Sequence, residues 1–475
     1  MIKFSKLIGV LVLTGGLMAT PSVSQGKGIL EILRDKGVIS AEEYRQAIEE
    51  AKGNDEKVVQ EAKAEAKKQT KLPDWVDRVS LFGDIRFRHE GFYNDGDVKP
   101  NNPTRNRERI RARLGLGINY SDELSGKLRI VTGDAGDPIS TNQTLSELFT
   151  RKPINLDWAF ITVSPWQTFG LDTLTGSKTP MFSLTAGKQP MPVFVPGGSE
   201  LVFDGDLSPE GVSESITLWN RPGGFVRNFK ITGMQWAIKE ISTKSATQIF
   251  NAADAWMFGG QAQLQLAPTD NSKLTLAISD YGFQRLDVLA RERNTNGSLL
   301  ITNNVRRFNG SVAGGAPVSP SSCVSPFTAA GCIAGFLGGF NVMNAGAQLD
   351  LPTPMKNFPL SFFFDYARNT EAATNDKNGF WLGFRVGQTR SKGDLRFTYA
   401  WAYTQTDAVP SVFSYSDFGR SGGTNVRGHI ISLDYVLLPH LTLTAKNHFI
   451  NFIDTPVGFH NPTLSRLQLD TVLSW

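Results

Sequence analysis

Residues 107–120 read Arg-Glu-Arg-Ile-Arg-Ala-Arg-Leu-Gly-Leu-Gly-Ile-Asn-Tyr, and their alternation decides the fold. A period of two belongs to a strand, where successive side chains point to opposite faces. Arg107, Arg109, Arg111 and Arg113 share one face, continued by Gly115, Gly117 and Asn119. Ile110, Ala112, Leu114, Leu116, Ile118 and Tyr120 take the other. The apolar face demands a protein core or hydrocarbon. An arginine turned towards lipid costs up to ~2–4 kcal/mol at mid-membrane, so four of them cannot all sit there against a folding free energy of about 5–15 kcal/mol. The basic face must meet water.

The neighbouring segments repeat the pattern. Arg86 and Arg88 alternate with Ile85 and Phe87, and Lys127 and Arg129 alternate with Leu128 and Ile130. Three consecutive strands thus direct eight basic groups into one wall of a lumen, offset locally by Asp84 and Glu90. Such a wall either selects ions or forms a salt-bridge ladder that keeps the wall rigid, and both can hold. Further on, Leu395, Phe397, Tyr399, Trp401 and Tyr403 oppose Arg396, Thr398, Ala400, Ala402 and Thr404.

Working outward, strands are expected at about 79–90, 107–120, 124–132, 156–164, 182–189, 212–219, 225–238, 254–266, 273–282, 340–351, 359–369, 379–389, 394–407, 425–437, 441–452 and 464–475. That makes about 16, an even number, as a closed antiparallel up-and-down barrel requires. Short turns such as Ser391-Lys392-Gly393 join one end, and long Gly-, Asn- and Asp-rich stretches such as 91–106, 133–155, 190–211 and 283–339 join the other. This is the asymmetry of an all-β transmembrane barrel with short periplasmic turns and longer external loops.

The segments ahead of the strands differ. Residues 1–24 have Lys3 and Lys6, a short apolar core over Leu7–Leu17 and small residues at Ala19, Ser22 and Ser24, the layout of a secretory signal peptide. Residues 25–72 are expected to be a helical hairpin and charged spacer on the periplasmic side. Gly37 suits a helix stop, Ser40 with Glu43 forms a capping box, and 54–71 is mostly Lys, Glu, Ala and Gln. The barrel then fills 73–475.

The candidate chemistry is sparse. His89, His429, His440, His448 and His460 are scattered, and none sits in a nucleophile–base motif. No metal site or cofactor motif is present, and the export signal disfavours nucleic acid as a partner. Cys323 and Cys332 are expected to form a disulfide that clips a loop, with two unpaired thiols as the alternative. Within 190–211, Glu200, Asp204, Asp206 and Glu210 would set a transverse field against the arginines if the loop folds inward; an ordinary exposed acidic loop is the alternative. The final strand alternates Leu467, Leu469, Leu473 and Trp475 with Arg466, Gln468, Asp470 and Ser474. Trp475 closing it looks like a signal for the barrel-assembly machinery.

Several segments carry a resemblance: Pro73-Asp74-Trp75-Val76 leading into Gly83-Asp84-Ile85-Arg86-Phe87-Arg88, then Arg105–Arg111, Lys152–Asp157 and Asp204–Gly211. In these the chain resembles the putative-porin family of bacterial outer-membrane proteins. The hairpin around Lys36–Ser40 is similar to the periplasmic region that often precedes such barrels. The resemblance implies an outer-membrane channel for passive diffusion of small hydrophilic solutes or ions, surrounded by lipid and oligomeric, a trimer by analogy. The basic wall adds an expected preference for anions. A barrel enzyme of lipase or protease type, or a structural or adhesive barrel whose N-terminal helices hold the cell wall, are the competing readings.

Overall fold

Period-two alternation becomes sixteen antiparallel strands in the structure, a computed structural model that describes residues 2, 3, 42, 76–94, 104–146, 148–175, 179–240, 254–286, 289, 336, 338–355, 357–418, 423–455 and 461–475. The strands are β1 (Val79–Tyr93), β2 (Arg105–Asn119), β3 (Leu124–Thr132), β4 (Ile154–Val163), β5 (Phe182–Lys188), β6 (Glu210–Asn220), β7 (Val226–Lys239) and β8 (Ala255–Leu266). They continue with β9 (Lys273–Gln284), β10 (Phe340–Leu351), β11 (Leu360–Asn369), β12 (Asn378–Gly387), β13 (Leu395–Thr404), β14 (Val426–Leu438), β15 (Leu441–Phe452) and β16 (Leu464–Ser474). Each pairs with its neighbour in sequence, and β16 pairs back onto β1 in register from Ser465 opposite Tyr93 to Ser474 opposite Asp84. The ring is closed. Strand ends differ from the sequence expectation by three residues at most.

Two compact units divide the chain, Met1–Leu81 and Phe82–Trp475. Apart from the first residues of β1, the barrel belongs to the second. The expected signal peptide and helical hairpin lie outside the described residues, except Ile2, Lys3 and Glu42, as do Cys323, Cys332 and most of 283–339.

Alternation sorts the two faces sharply. Along β1, Ile85 and Phe87 are exposed while Asp84, Arg86, Arg88 and Glu90 between them are buried. Ile278 is 68% exposed, with Ala277 and Ser279 buried beside it. The exposed apolar side chains recur around the ring, from Leu114 and Ile161 to Phe362, Phe364 and Leu433. So broad an apolar surface is untenable in water and matches hydrocarbon.

The interior is partly filled by chain. The connection between β5 and β6 leaves its own wall and bonds to inward-facing side chains of distant strands. Phe194 N donates to Gln261 Oε1 at 2.7 Å, Gly197 N donates to Gln348 Oε1 at 2.8 Å, and Arg385 Nη2 donates to the Gly197 carbonyl at 2.8 Å. Gly197 has φ +59°, and a Cβ there would lie 2.2 Å from the Phe363 ring, so only glycine passes so close to the wall. The connection between β13 and β14 meets this loop: Asp204 N donates to the Phe413 carbonyl at 2.7 Å and Tyr415 N to the Glu200 carbonyl at 3.2 Å. Leu201, Val202, Phe203, Val412, Tyr415 and Phe418 then pack with wall residues Trp236, Met257, Tyr281 and Trp381 in one apolar cluster. Each such side chain contributes roughly 1.5–3 kcal/mol on burial, which is what holds two loops inside the ring.

The sorting of faces yields a test. Ile278→Arg should destabilise the barrel by about 2–4 kcal/mol, read from denaturant-induced unfolding in lipid vesicles, because the guanidinium would enter the apolar outer surface near mid-strand.

Candidate functional site

Strand parity brings the basic residues together. Arg86 and Arg88 on β1, Arg107, Arg109, Arg111 and Arg113 on β2, and Arg129 on β3 share the inner surface with Arg466, Gln468 and Asp470 of β16. The closing seam places Arg88 opposite Asp470. Arg88 grips that carboxylate with two parallel bonds, Nε at 2.7 Å and Nη2 at 2.8 Å, the strongest geometry open to a guanidinium. Its third nitrogen reaches Asp417 Oδ2 at 3.1 Å.

Glu90 is fully buried and serves several cations at once. Arg466 donates to its Oε1 at 2.8 and 2.6 Å, Arg107 bonds its Oε2, and Arg109 Nη1 stands 3.8 Å away. On the other side Arg111 and Arg113 donate to Asp84 at 2.9 and 2.5 Å, and Arg129 to Asp157 at 2.5 Å. The Arg129 guanidinium also lies 3.3 Å from the centre of the Trp158 ring. Lys127 stands apart from this network, 5.9 Å from the Phe82 ring centre. The nitrogens Arg86 Nε and Arg109 Nε are buried without a hydrogen-bond partner.

The loop carboxylates divide by environment. Asp206 faces the wall, with Oδ1 at 3.9 Å from Arg111 and 3.7 Å from Arg113, and accepts from Thr141 Oγ1 at 2.9 Å. Asp204 is buried and accepts from Ser416 N at 2.9 Å. Burial, reinforced by the neighbouring Glu200 and Asp206 charges, raises its carboxyl well above the usual range. Burial likewise pushes Glu200 up to about 7, against the pull of Lys446. Glu210 has a different place from its loop neighbours. It opens β6, shares the face of Ile216 and Leu218, and pairs with Lys188 at 2.8 Å while exposed. The strand begins two residues earlier than its apolar alternation suggests, which moves this carboxylate out of the loop.

Asp417, which no periodic signal marks, is central. It sits in a short 3-10 turn, Ser416–Phe418, of the inward β13–β14 connection. Arg466 Nη2 and Gln468 Nε2 donate to it at 2.6 and 3.0 Å. Burial works to raise this carboxyl, but Arg466 and Arg88 overcome it and hold it well below the usual range. Arg466 and Asp470 were legible as the polar side of the last strand; their joining to β1 becomes visible only through ring closure. His448 is buried, with Tyr415 Oη 2.9 Å from its Nε2. Among the described residues no group of three or more His, Cys, Asp or Glu side chains is arranged to hold a metal ion.

With this geometry in view, comparison with known proteins is informative. The family model described as "Putative porin" matches residues 37–104 and 97–457. The chain belongs to this family. Its structure is similar to the high-pH structure of OprB from Pseudomonas putida, at TM-score 0.51 and 12% identity over 84% of this chain and 94% of that one. It is also similar to OmpF of Salmonella typhi in complex with daunomycin, at TM-score 0.43 and 11% identity over 84% and 97%. A further likeness is to an anion-selective porin from Comamonas acidovorans, at TM-score 0.44 and 10% identity over 84% and 99%. At such identities the likeness speaks for the fold alone, and only the first is close enough to carry argument. No curated protein sequence matches. Family and barrel together imply an outer-membrane porin.

Removing Arg88 should be costly, since Asp470 and Asp417 would be left buried around an empty centre. Arg88→Ala is expected to lose about 3–5 kcal/mol in guanidinium unfolding of the detergent-solubilised barrel. The double variant with Asp470→Asn should lose less than the two single losses added together.

Proposed function

We propose that this porin passes small hydrophilic solutes by passive diffusion and prefers anions. The reading rests above all on the imbalance of the wall network, in which eight guanidinium groups stand against six carboxylates. Because arginine stays charged at any physiological pH, the excess is permanent. The loop strengthens it. Burial raises both the Glu200 and the Asp204 carboxyl above the usual carboxylate range, which weakens the negative charge set against the arginines. Field lines concentrate where low-dielectric walls surround water, and the Asp206 carboxylate facing Arg111 and Arg113 supports reading the inward loop as a constriction. The ladder also stiffens the wall. A rigid array of fixed charges is what selection in a wide pore needs.

Planar-bilayer reversal potentials in a potassium chloride gradient test this directly. Chloride should permeate in preference to potassium, and Arg111→Gln with Arg113→Gln should shift the reversal potential towards potassium. A wild-type channel that prefers potassium would overturn the reading. Acidity gives an independent sign. The Glu200 carboxyl, pushed up to about 7, is ionised above that pH and neutral below it. Chloride preference should therefore rise as pH falls from 8 to 6, and Glu200→Gln should flatten this step.

The same reading includes a homo-oligomer embedded in outer-membrane lipid and inserted by the assembly machinery through Trp475. Supporting the last point, Trp475 N donates to the Gly83 carbonyl at 3.1 Å and Gly83 N to the Trp475 carbonyl at 3.2 Å, the rung that closes β16 onto β1. Trp475→Ala should reduce the heat-modifiable, membrane-inserted fraction; unchanged insertion would remove Trp475 from this role.

A further inference from the structure

Beyond the arginines, towards the end of the barrel that carries the short turns, the inner wall changes character. Phe82 shares the face of Arg86 on β1, and Lys127 that of Arg129 on β3. Across the β3–β4 pairing Lys127 lies opposite Phe160 and Arg129 opposite Trp158, so both rings point inward too. Arg86, Arg88, Arg109 and Arg129 are buried, whereas Phe82, Lys127, Trp158 and Phe160 are partly open. The Trp158 ring centre is 6.0 Å from that of Phe82 and 6.4 Å from that of Phe160.

Glycine makes room for these rings. Gly115 and Gly117 stand opposite Arg129 and Lys127 on β2, and a Cβ on Gly115 would lie 2.3 Å from the Phe82 ring. The ring therefore packs over bare backbone, where any larger residue would displace it. The charges beside it are unequal. Asp157 is taken by Arg129 and by the Ser208 hydroxyl, which accepts from Trp158 Nε1 at 3.0 Å. Lys127 Nζ lies 5.9 Å from the Phe82 ring centre and makes no ion pair or hydrogen bond among the described residues. The hydroxyls of Thr162 and Thr185 are 2.9 Å apart and satisfy each other. A cation without a counter-charge thus stands among rings, and the polar groups around it are already engaged.

This combination narrows the ligand chemistry. A sugar is recognised through several directed polar groups, and those here are spent on one another. An inorganic anion uses the lysine and leaves the rings without a purpose. An anion joined to a flat ring uses both. We propose that this part of the lumen is a binding station for small aromatic carboxylates. The carboxylate pairs with Lys127, and the ring packs against Phe82 and Phe160 in the offset or edge-on arrangements that aromatic pairs prefer. Trp158, braced by the Arg129 guanidinium 3.3 Å from its ring centre, stands beside both. The proposal rests on the anion-preferring reading and sharpens it: surplus guanidinium charge admits anions of any shape, and the rings sort them by what they carry.

The test measures block of chloride current through the full-length barrel in a planar bilayer, with sodium benzoate or sodium acetate added at neutral pH. Benzoate should halve the current at about a tenfold lower concentration than acetate. Cyclohexanecarboxylate, of similar bulk but without a π-system, should behave more like acetate than benzoate. Phe82→Leu and Phe160→Leu should each reduce the benzoate advantage about threefold. Lys127→Gln should weaken block by both carboxylates alike, and Lys127→Arg should restore it. Equal block by benzoate and acetate in wild type would overturn the proposal without recourse to any variant. So would an undiminished benzoate advantage when both phenylalanines are replaced, or cyclohexanecarboxylate as effective as benzoate. A chloride-preferring wild type that treats the two carboxylates alike removes only this proposal, whereas a potassium-preferring one removes the reading beneath it.

Discussion

In hydrocarbon a backbone amide finds no water, so every N–H and C=O within the membrane must be paired inside the protein. A sheet meets that demand only by closing on itself. The seam of β16 on β1, from Ser465–Tyr93 to Ser474–Asp84, is therefore the contact on which the rest depends. It is also where the charge network is knotted. Arg88 and Asp470 face each other across it, and Arg466 reaches Glu90 over the same boundary. Joining the two chain-distant strands thus satisfies the backbone and assembles the polar cluster in one step.

The inner wall sets a second constraint. Burying an ion is expensive unless it is paired and hydrogen-bonded, and Asp84, Glu90, Asp206, Asp417 and Asp470 each gather two or more cations. Glu90 and Asp84 act as nodes between arginines that would otherwise repel one another along β2, and Asp417 does the same for Arg88 of β1 and Arg466 of β16. Structural and selective roles are not rivals in such an array. The carboxylates fix the arginines in position, and the same array keeps more guanidinium groups than carboxylates on the inner wall.

How far the sequence displays this depends on what kind of regularity carries each part. Alternation is local and marks all sixteen strands, because one mistake in parity would put Arg109 in lipid or Ile110 in water. The basic face of β2 could be read for the same reason. The partners of that face could not. Asp417 lies in a connection without period, more than three hundred residues from Arg88 in sequence, and only the inward course of that connection brings them together. Glu210 shows the converse error: grouped with the acidic loop by proximity in sequence, it belongs to a strand whose parity turns it outward. Loop trajectories are set by tertiary contacts such as Gly197 against Phe363, and no neighbouring residue announces them.

The apolar cluster inside the ring changes what the lumen is. Leu201, Phe203, Val412 and Phe418 pack against Trp236, Tyr281 and Trp381 on the far wall, while Asp206 and Asp417, borne by the same two loops, face the arginines. Each loop is therefore amphipathic across its own thickness, anchored on one side by dispersion and burial and presented on the other as charge. The two anchorages reinforce each other: the apolar contacts fix how far the carboxylates reach, and the ion pairs keep the loops from withdrawing. The loops are thereby held with their carboxylates against the arginine wall, and the loop position decides how closely the two sets of charges meet.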